Sequence, residues 1–203
     1  MTQPHPPPYR PLPPHRLESG GRFFCPKPPP LRRAVLGDPA VTVITDLRQV
    51  AASTVGRSTP LAEASAVMIG RGVRLLLVCD DDNEVVGVLT GRDLGGGKAE
   101  RILAKAGGAW EELVVADVMT IRPKLDALLM EEVSRARVGD IIATLRQVDR
   151  QHALVLDGEP ETETQVVRGI FSLSQIGLHL GLNIDPSRRS TTYAELARAG
   201  CVI

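Results

Sequence analysis

Arg74-Leu75-Leu76-Leu77-Val78-Cys79-Asp80 and Gln151-His152-Ala153-Leu154-Val155-Leu156-Asp157 are apolar runs of strand length standing 77 residues apart, each ending at an aspartate where a turn begins. Working outward, residues 59–80 align on residues 136–157 without a gap. Each run is preceded by a helical pattern, carried by Leu61, Ala64, Val67 and Met68 in the first copy and by Val138, Ile141, Leu145 and Val148 in the second. Each is followed by a second strand, at 84–89 after the turn Asp80-Asp81-Asp82-Asn83, and at 165–171 after a longer acidic loop at 158–164. A hydroxyl residue and a helix start then close the unit, Thr90-Gly91-Arg92-Asp93-Leu94 in one copy and Ser172-Leu173-Ser174-Gln175-Ile176 in the other. Lead-ins at 41–45 and 114–120 precede the copies, each with an extra stretch of about fifteen residues before the helix. Identities are few (Ala66 with Ala143, Leu77 with Leu154, Val78 with Val155, Gly87 with Gly169), so order and pattern carry the repeat. Neither half could cover both faces of a short sheet alone. The pattern therefore predicts an α+β (α/β) fold of two pseudo-twofold-related β-α-β-β-α units packed sheet to sheet, with a ligand cleft between them.

Composition narrows the function classes. The 24 basic and 24 acidic side chains of the 203-residue chain cancel, so no overall field draws a nucleic acid or an anionic membrane. Aromatics are 3%, which leaves no stacking platform for single strands. Cys25, Cys79 and Cys201 are odd in number and widely spaced, against a disulfide framework or a zinc site, and fit a reducing cytoplasm. No apolar run has the length of a membrane span, and prolines stand where a signal peptide needs an apolar core, so a cytoplasmic protein is expected. Eleven of the 16 prolines fall within residues 1–30. They predict a disordered tail, whose alternative reading is a ligand for a proline-recognising partner.

Taken together, Gly72-Val73-Arg74-Leu75-Leu76-Leu77-Val78, Gly87-Val88-Leu89-Thr90-Gly91-Arg92-Asp93-Leu94 and the lead-in Val118-Met119-Thr120 resemble a tandem cystathionine-β-synthase (CBS) domain pair of the stand-alone bacterial type. The resemblance spans about residues 40–181. It divides the chain into a proline-rich tail at 1–33, a first CBS unit at 40–106, a second with its lead-in at 107–181, and a C-terminal tail with a short helix at 182–203.

The resemblance implies that 87–93 contacts an adenine nucleotide. A hydroxyl at a helix N-terminus favours phosphate, and a carboxylate one turn on accepts ribose hydroxyls. Thr90, Gly91 and Arg92 would then face phosphate and Asp93 the ribose, with Arg74, Leu75 and Val55 completing the set. The competing reading of Thr90 and Asp93 is plain helix capping. In the second copy Ser172 keeps the hydroxyl but Gln175 replaces the carboxylate, which predicts a weaker second site made by Ser172, Gln175, Gln151 and His152. His152 either faces a phosphate or fills an interior position.

Other chemistry does not assemble. Gly95-Gly96-Gly97-Lys98 fails the P-loop pattern, with Arg92 at its first glycine position and Ala99 after the lysine. Cys79 reads as packing, and the pairs Glu111-Glu112 and Glu131-Glu132 as solvated. Leu125, Leu128, Leu129 and Val133 predict an amphipathic helix over 125–135, and 191–200 a short docking helix. The chain thus reads as a regulatory sensor, not an enzyme, with AMP, ADP, ATP or an adenosyl relative as ligand and no metal or catalytic cofactor. The resemblance implies a homodimer, acting on a regulated protein the sequence does not name. The alternative is a dimeric interaction scaffold using the proline-rich tail or the last helix.

Overall fold

The computed structural model describes residues 33–95, 97–158 and 165–182. The proline-rich segment 1–32, Gly96, the acidic loop at 159–164 and the C-terminal helix expected at 191–200 lie outside the described residues, as do Cys25 and Cys201. In chain order the elements of the first copy are β1 Thr45–Asp46, β2 Thr54–Gly56, α1 Leu61–Arg71, β3 Leu75–Cys79, β4 Val85–Thr90, α2 Gly91–Gly95 and α3 Lys98–Ala106. Those that follow are α4 Val115–Val118, β5 Thr120–Ile121, β6 Ala127–Leu129, α5 Met130–Arg135, α6 Val138–Gln147, β7 His152–Asp157, β8 Val166–Ser172 and α7 Leu173–Leu180.

Local chemistry explains the boundaries. Leu61, Ala64 and Met68 form the buried stripe of α1, which stops at Gly72 in the left-handed conformation, where only glycine is without strain (φ 63°). In α6 the buried stripe is Val138, Ile141, Ile142 and Leu145. Val148 falls past the end of that helix and is half exposed, because the chain turns at Asp149. The β3–β4 turn is held by the Asp80 carboxylate, which accepts the N–H groups of Asp82 and Glu84 at 3.2 and 2.9 Å.

The strands form two four-stranded sheets, ordered β2-β3-β4-β5 and β1-β8-β7-β6. The lead-ins change places: β1, before the first copy, pairs antiparallel with β8 of the second, and β5, before the second, pairs with β4 of the first. Gly87 and Gly169 permit this. A Cβ on Gly87 would stand 2.6 Å from the Thr120 carbonyl oxygen, and one on Gly169 would stand 2.6 Å from Ile44 Cδ1 and 2.9 Å from the Thr45 carbonyl oxygen. The glycine shared by the two copies at 87 and 169 is thus the point where the other copy's lead-in crosses. Arg168 strengthens the second crossing through ion pairs with Asp46 and Asp157.

The stretch between lead-in and helix holds a further strand in each copy, β2 parallel to β3 and β6 parallel to β7. This corrects the helix predicted over 125–135. Ala127, Leu128 and Leu129 pair with Leu154, Val155 and Leu156, so only Met130–Arg135 is helical, with Val133 reaching the core. Leu76, Val78 and Leu89 pack towards α1, while Leu75, Leu77 and Val88 meet Leu154 and Ile170 of the other sheet. Sheet-to-sheet packing of two related units is therefore the architecture, and β3 is covered on both faces.

Candidate functional site

Thr90 ends β4 and begins α2, a single turn of five residues. Its backbone N–H and hydroxyl both donate to Asp93 Oδ2, at 2.9 and 2.7 Å. Capping is therefore present as anticipated. The Gly91 N–H is taken by the Arg74 carbonyl at 3.0 Å and the Asp93 N–H by the Thr90 hydroxyl at 3.4 Å, so neither of these is offered to an anion. Asp93 Oδ1 lies 3.7 Å from Lys98 Nζ, and Lys98 also donates to the carbonyls of Val118 and Met119. A carboxylate has about four acceptor positions, so Asp93 retains acceptor capacity on Oδ1 after these bonds.

Thr90 and Asp93 open onto a cavity of about 140 Å3 whose wall is shared by the two copies. The first copy supplies Leu75, Val88, Thr90, Arg92 and Asp93; the second supplies Ala127, Leu128, Thr144, Arg150, Gln151 and His152. The lining is mainly aliphatic, with the guanidinium groups of Arg92 and Arg150 and the carboxylates of Asp93 and Asp126 as its charged groups. Arg92 reaches across to the second copy, Nη1 donating to the Asp149 carbonyl oxygen at 3.1 Å.

The residues expected at the nucleotide site are divided. Leu75, Thr90, Arg92 and Asp93 share the cavity. Gly91 and the Arg74 side chain line a neighbouring groove beside α1, with Ser65, Met68 and Trp110. Val55 is buried in the first copy's own core. Those expected at the second site separate further. Gln151 and His152 stand on the Thr90–Asp93 cavity, because β7 crosses behind the first copy's β3 and β4. Gln175 lines a separate cleft with Ile44, Thr45 and Gln49 of the exchanged lead-in, and Ser172 faces Ser174, the hydroxyl oxygens 2.9 Å apart.

His152 sits in the cavity wall with its pKa lowered to about 4, first by burial and then by the positive charge of Arg74. It is neutral near pH 7 and adds a ring with one donor and one acceptor, not a cation. Burial, then the neighbouring Asp80, raises the Cys79 pKa and keeps it a thiol, in keeping with a packing role. Among the described residues no group of three His, Cys, Asp or Glu side chains could hold a metal ion, and no helix is long and apolar enough to cross a membrane.

Arg150, Thr144, Asp126 and Lys98 were not anticipated. Arg150 follows the bend at Asp149, and only the sheet-to-sheet packing brings it to the cavity that Arg92 also lines. Lys98 ends the glycine-rich stretch that fails the P-loop pattern, and its bonds to the carbonyls of Val118 and Met119 depend on where α4 ends.

Residues 44–94 match the CBS domain family. No curated protein matches the sequence. Among solved structures, the chain is similar to an uncharacterized conserved protein from Pyrococcus horikoshii, at 25% identity and a TM-score of 0.51, over 77% of this chain and 98% of that one. It is also similar to a CBS-domain containing protein from Agrobacterium tumefaciens, at 20% identity and a TM-score of 0.49, over 66% and 88% of the two chains. CBSX2, a CBS-pair protein of Arabidopsis thaliana, matches in its complex with AMP at 21% identity and a TM-score of 0.47, over 69% and 93%.

Proposed function

We propose that this chain, a CBS-pair protein, is a regulatory sensor that takes an adenosyl ligand such as AMP, ADP, ATP or S-adenosylmethionine into the cavity between its two units. The observation that carries the reading is that Thr90 and Asp93 of the first unit share one aliphatic cavity with Leu128, Arg150 and His152 of the second. The base lies between Leu75 and Val88 on one side and Ala127 and Leu128 on the other. A ribose hydroxyl donates to Asp93 Oδ1, while Arg92 and Arg150 attract phosphate. The Thr90 hydroxyl, already donating to Asp93, orients the carboxylate and does not itself hold phosphate.

The cavity is smaller than the roughly 300–1,000 Å3 usual for ligand sites. Binding therefore parts the units, and that movement is the output read by a partner. The ligand supplies differential binding energy for the parted state, which is the requirement for a switch. We also propose a homodimer, as the family resemblance implies.

Calorimetric titration with AMP, ADP, ATP and S-adenosylmethionine tests the proposal, with Asp93→Asn as the control that keeps side-chain size while removing charge. Losing a charge-assisted bond predicts at least tenfold weaker binding in the variant. No binding of any of the four by folded protein would leave the interaction scaffold as the better account.

A further inference from the structure

An ion pair joins the two units beside the cavity, through the lining residue Arg92. Arg92 Nη1 lies 3.1 Å from the carbonyl oxygen of Asp149 and 3.6 Å from its carboxylate. Asp149 stands between Val148 and Arg150, both of which line the cavity. It adopts the left-handed conformation (φ 49°), so the chain folds back sharply here, and the Arg150 N–H closes onto the Leu145 carbonyl at 2.8 Å. An anionic group drawn towards Arg92 therefore meets a carboxylate already there. Two anions on one guanidinium repel, and one has to leave.

We propose that Asp149 is a specificity-determining residue: a resident carboxylate that pairs with the cavity residue Arg92 and yields it to a ligand whose own phosphate takes its place. This rests on the reading of the cavity as an adenosyl site. A neutral nucleoside makes no claim on Arg92 and leaves the pair in place. A nucleotide has to displace Asp149 to reach Arg92, so the pair weakens the binding of phosphorylated ligands alone and sets how strongly they are preferred over the nucleoside. Arg92 and Asp149 are both substantially exposed, 46% and 59%, so the pair is worth about two- to fivefold in an equilibrium constant.

The test is calorimetric titration of AMP and adenosine into the wild-type protein, Asp149→Asn, Arg92→Gln and the double variant, each checked for fold by circular dichroism. Asparagine is chosen because it tolerates the left-handed conformation as aspartate does, leaving the bend intact. The wild type is expected to bind AMP more tightly than adenosine, and Asp149→Asn to tighten AMP binding about two- to fivefold. Adding Asp149→Asn to Arg92→Gln should change AMP affinity less than twofold, because the group Asp149 occupies is gone. If Asp149→Asn leaves AMP affinity unchanged or weaker, or tightens it equally without Arg92, the latch is overturned and the adenosyl site stands. If none of the four folded proteins binds AMP or adenosine, the site is overturned and the latch with it. Binding of AMP by Asp149→Asn alone supports both.

Discussion

Replacing His152 by leucine should change how the protein responds to acid. The folded-state pKa of His152 is about 4, below the 6.5 of a free histidine, because burial and the charge of Arg74 both oppose protonation. Between these values the unfolded chain binds more protons than the folded one, so stability rises with pH through this window. Conversely, stability falls as pH drops below 6.5 and stops falling from this cause below 4. Integrating the two titrations gives a loss of about 2 kcal/mol at pH 5 relative to pH 7.5, and about 3 kcal/mol once both states are protonated. Leucine is the informative replacement, because Leu75 occupies the matching position of the first copy: Leu75 pairs with Thr90 as His152 pairs with Ser172. Urea unfolding of both proteins at pH 7.5, 6 and 5 measures the effect, and carboxylates common to both cancel in the difference. The His152→Leu protein should gain on the wild type by about 2 kcal/mol between pH 7.5 and 5. Parallel pH profiles would refute the assignment of a half-buried, neutral His152.

Gly87→Ala should destabilise by about 1–3 kcal/mol in urea unfolding, since its Cβ meets the Thr120 backbone and β5 has to move. Gly169→Ala should cost towards the lower end of that range, as the Ile44 side chain can yield part of the space; equal, negligible costs would argue against the exchanged lead-ins. Arg168→Met leaves Asp46 without its partner, and both side chains are largely buried, so a loss of about 2–4 kcal/mol is expected. Adding Asp46→Asn should recover much of it, and no recovery would mean that the loss is one of packing. Lys98→Met should lower stability by about 1–2 kcal/mol through the carbonyls of Val118 and Met119, and a thermal midpoint equal to wild type would contradict that role.

The repeat was legible because its signal is local. The apolar runs at β3 and β7, the turn at Asp80 and the hydroxyl residues after β4 and β8 all follow from periodicity within a few residues. The exchange of lead-ins was not, since β1 and β5 are two residues long and their partners are set by two glycines that make room for them. Likewise Leu128 and Leu129 fit a helical stripe and a parallel strand equally well, and pairing with Val155 and Leu156 decides for the strand. At the site, Thr90 and Asp93 were pointed to by the family resemblance, their spacing alone reading equally as a helix cap, whereas the approach of Gln151 and His152 depends on how one sheet lies on the other. The sequence grouped Gln151 and His152 with Ser172 because they belong to the same copy. Packing across the pseudo-twofold instead puts them on the cavity of the first.

A crystal structure of the protein grown with AMP tests the central claim most directly. The account predicts AMP in the Thr90–Asp93 cavity, its ribose within hydrogen-bonding distance of Asp93 Oδ1 and its base between Leu75 and Leu128. AMP bound only in the Gln175 cleft, or no AMP at saturating concentration, would contradict it.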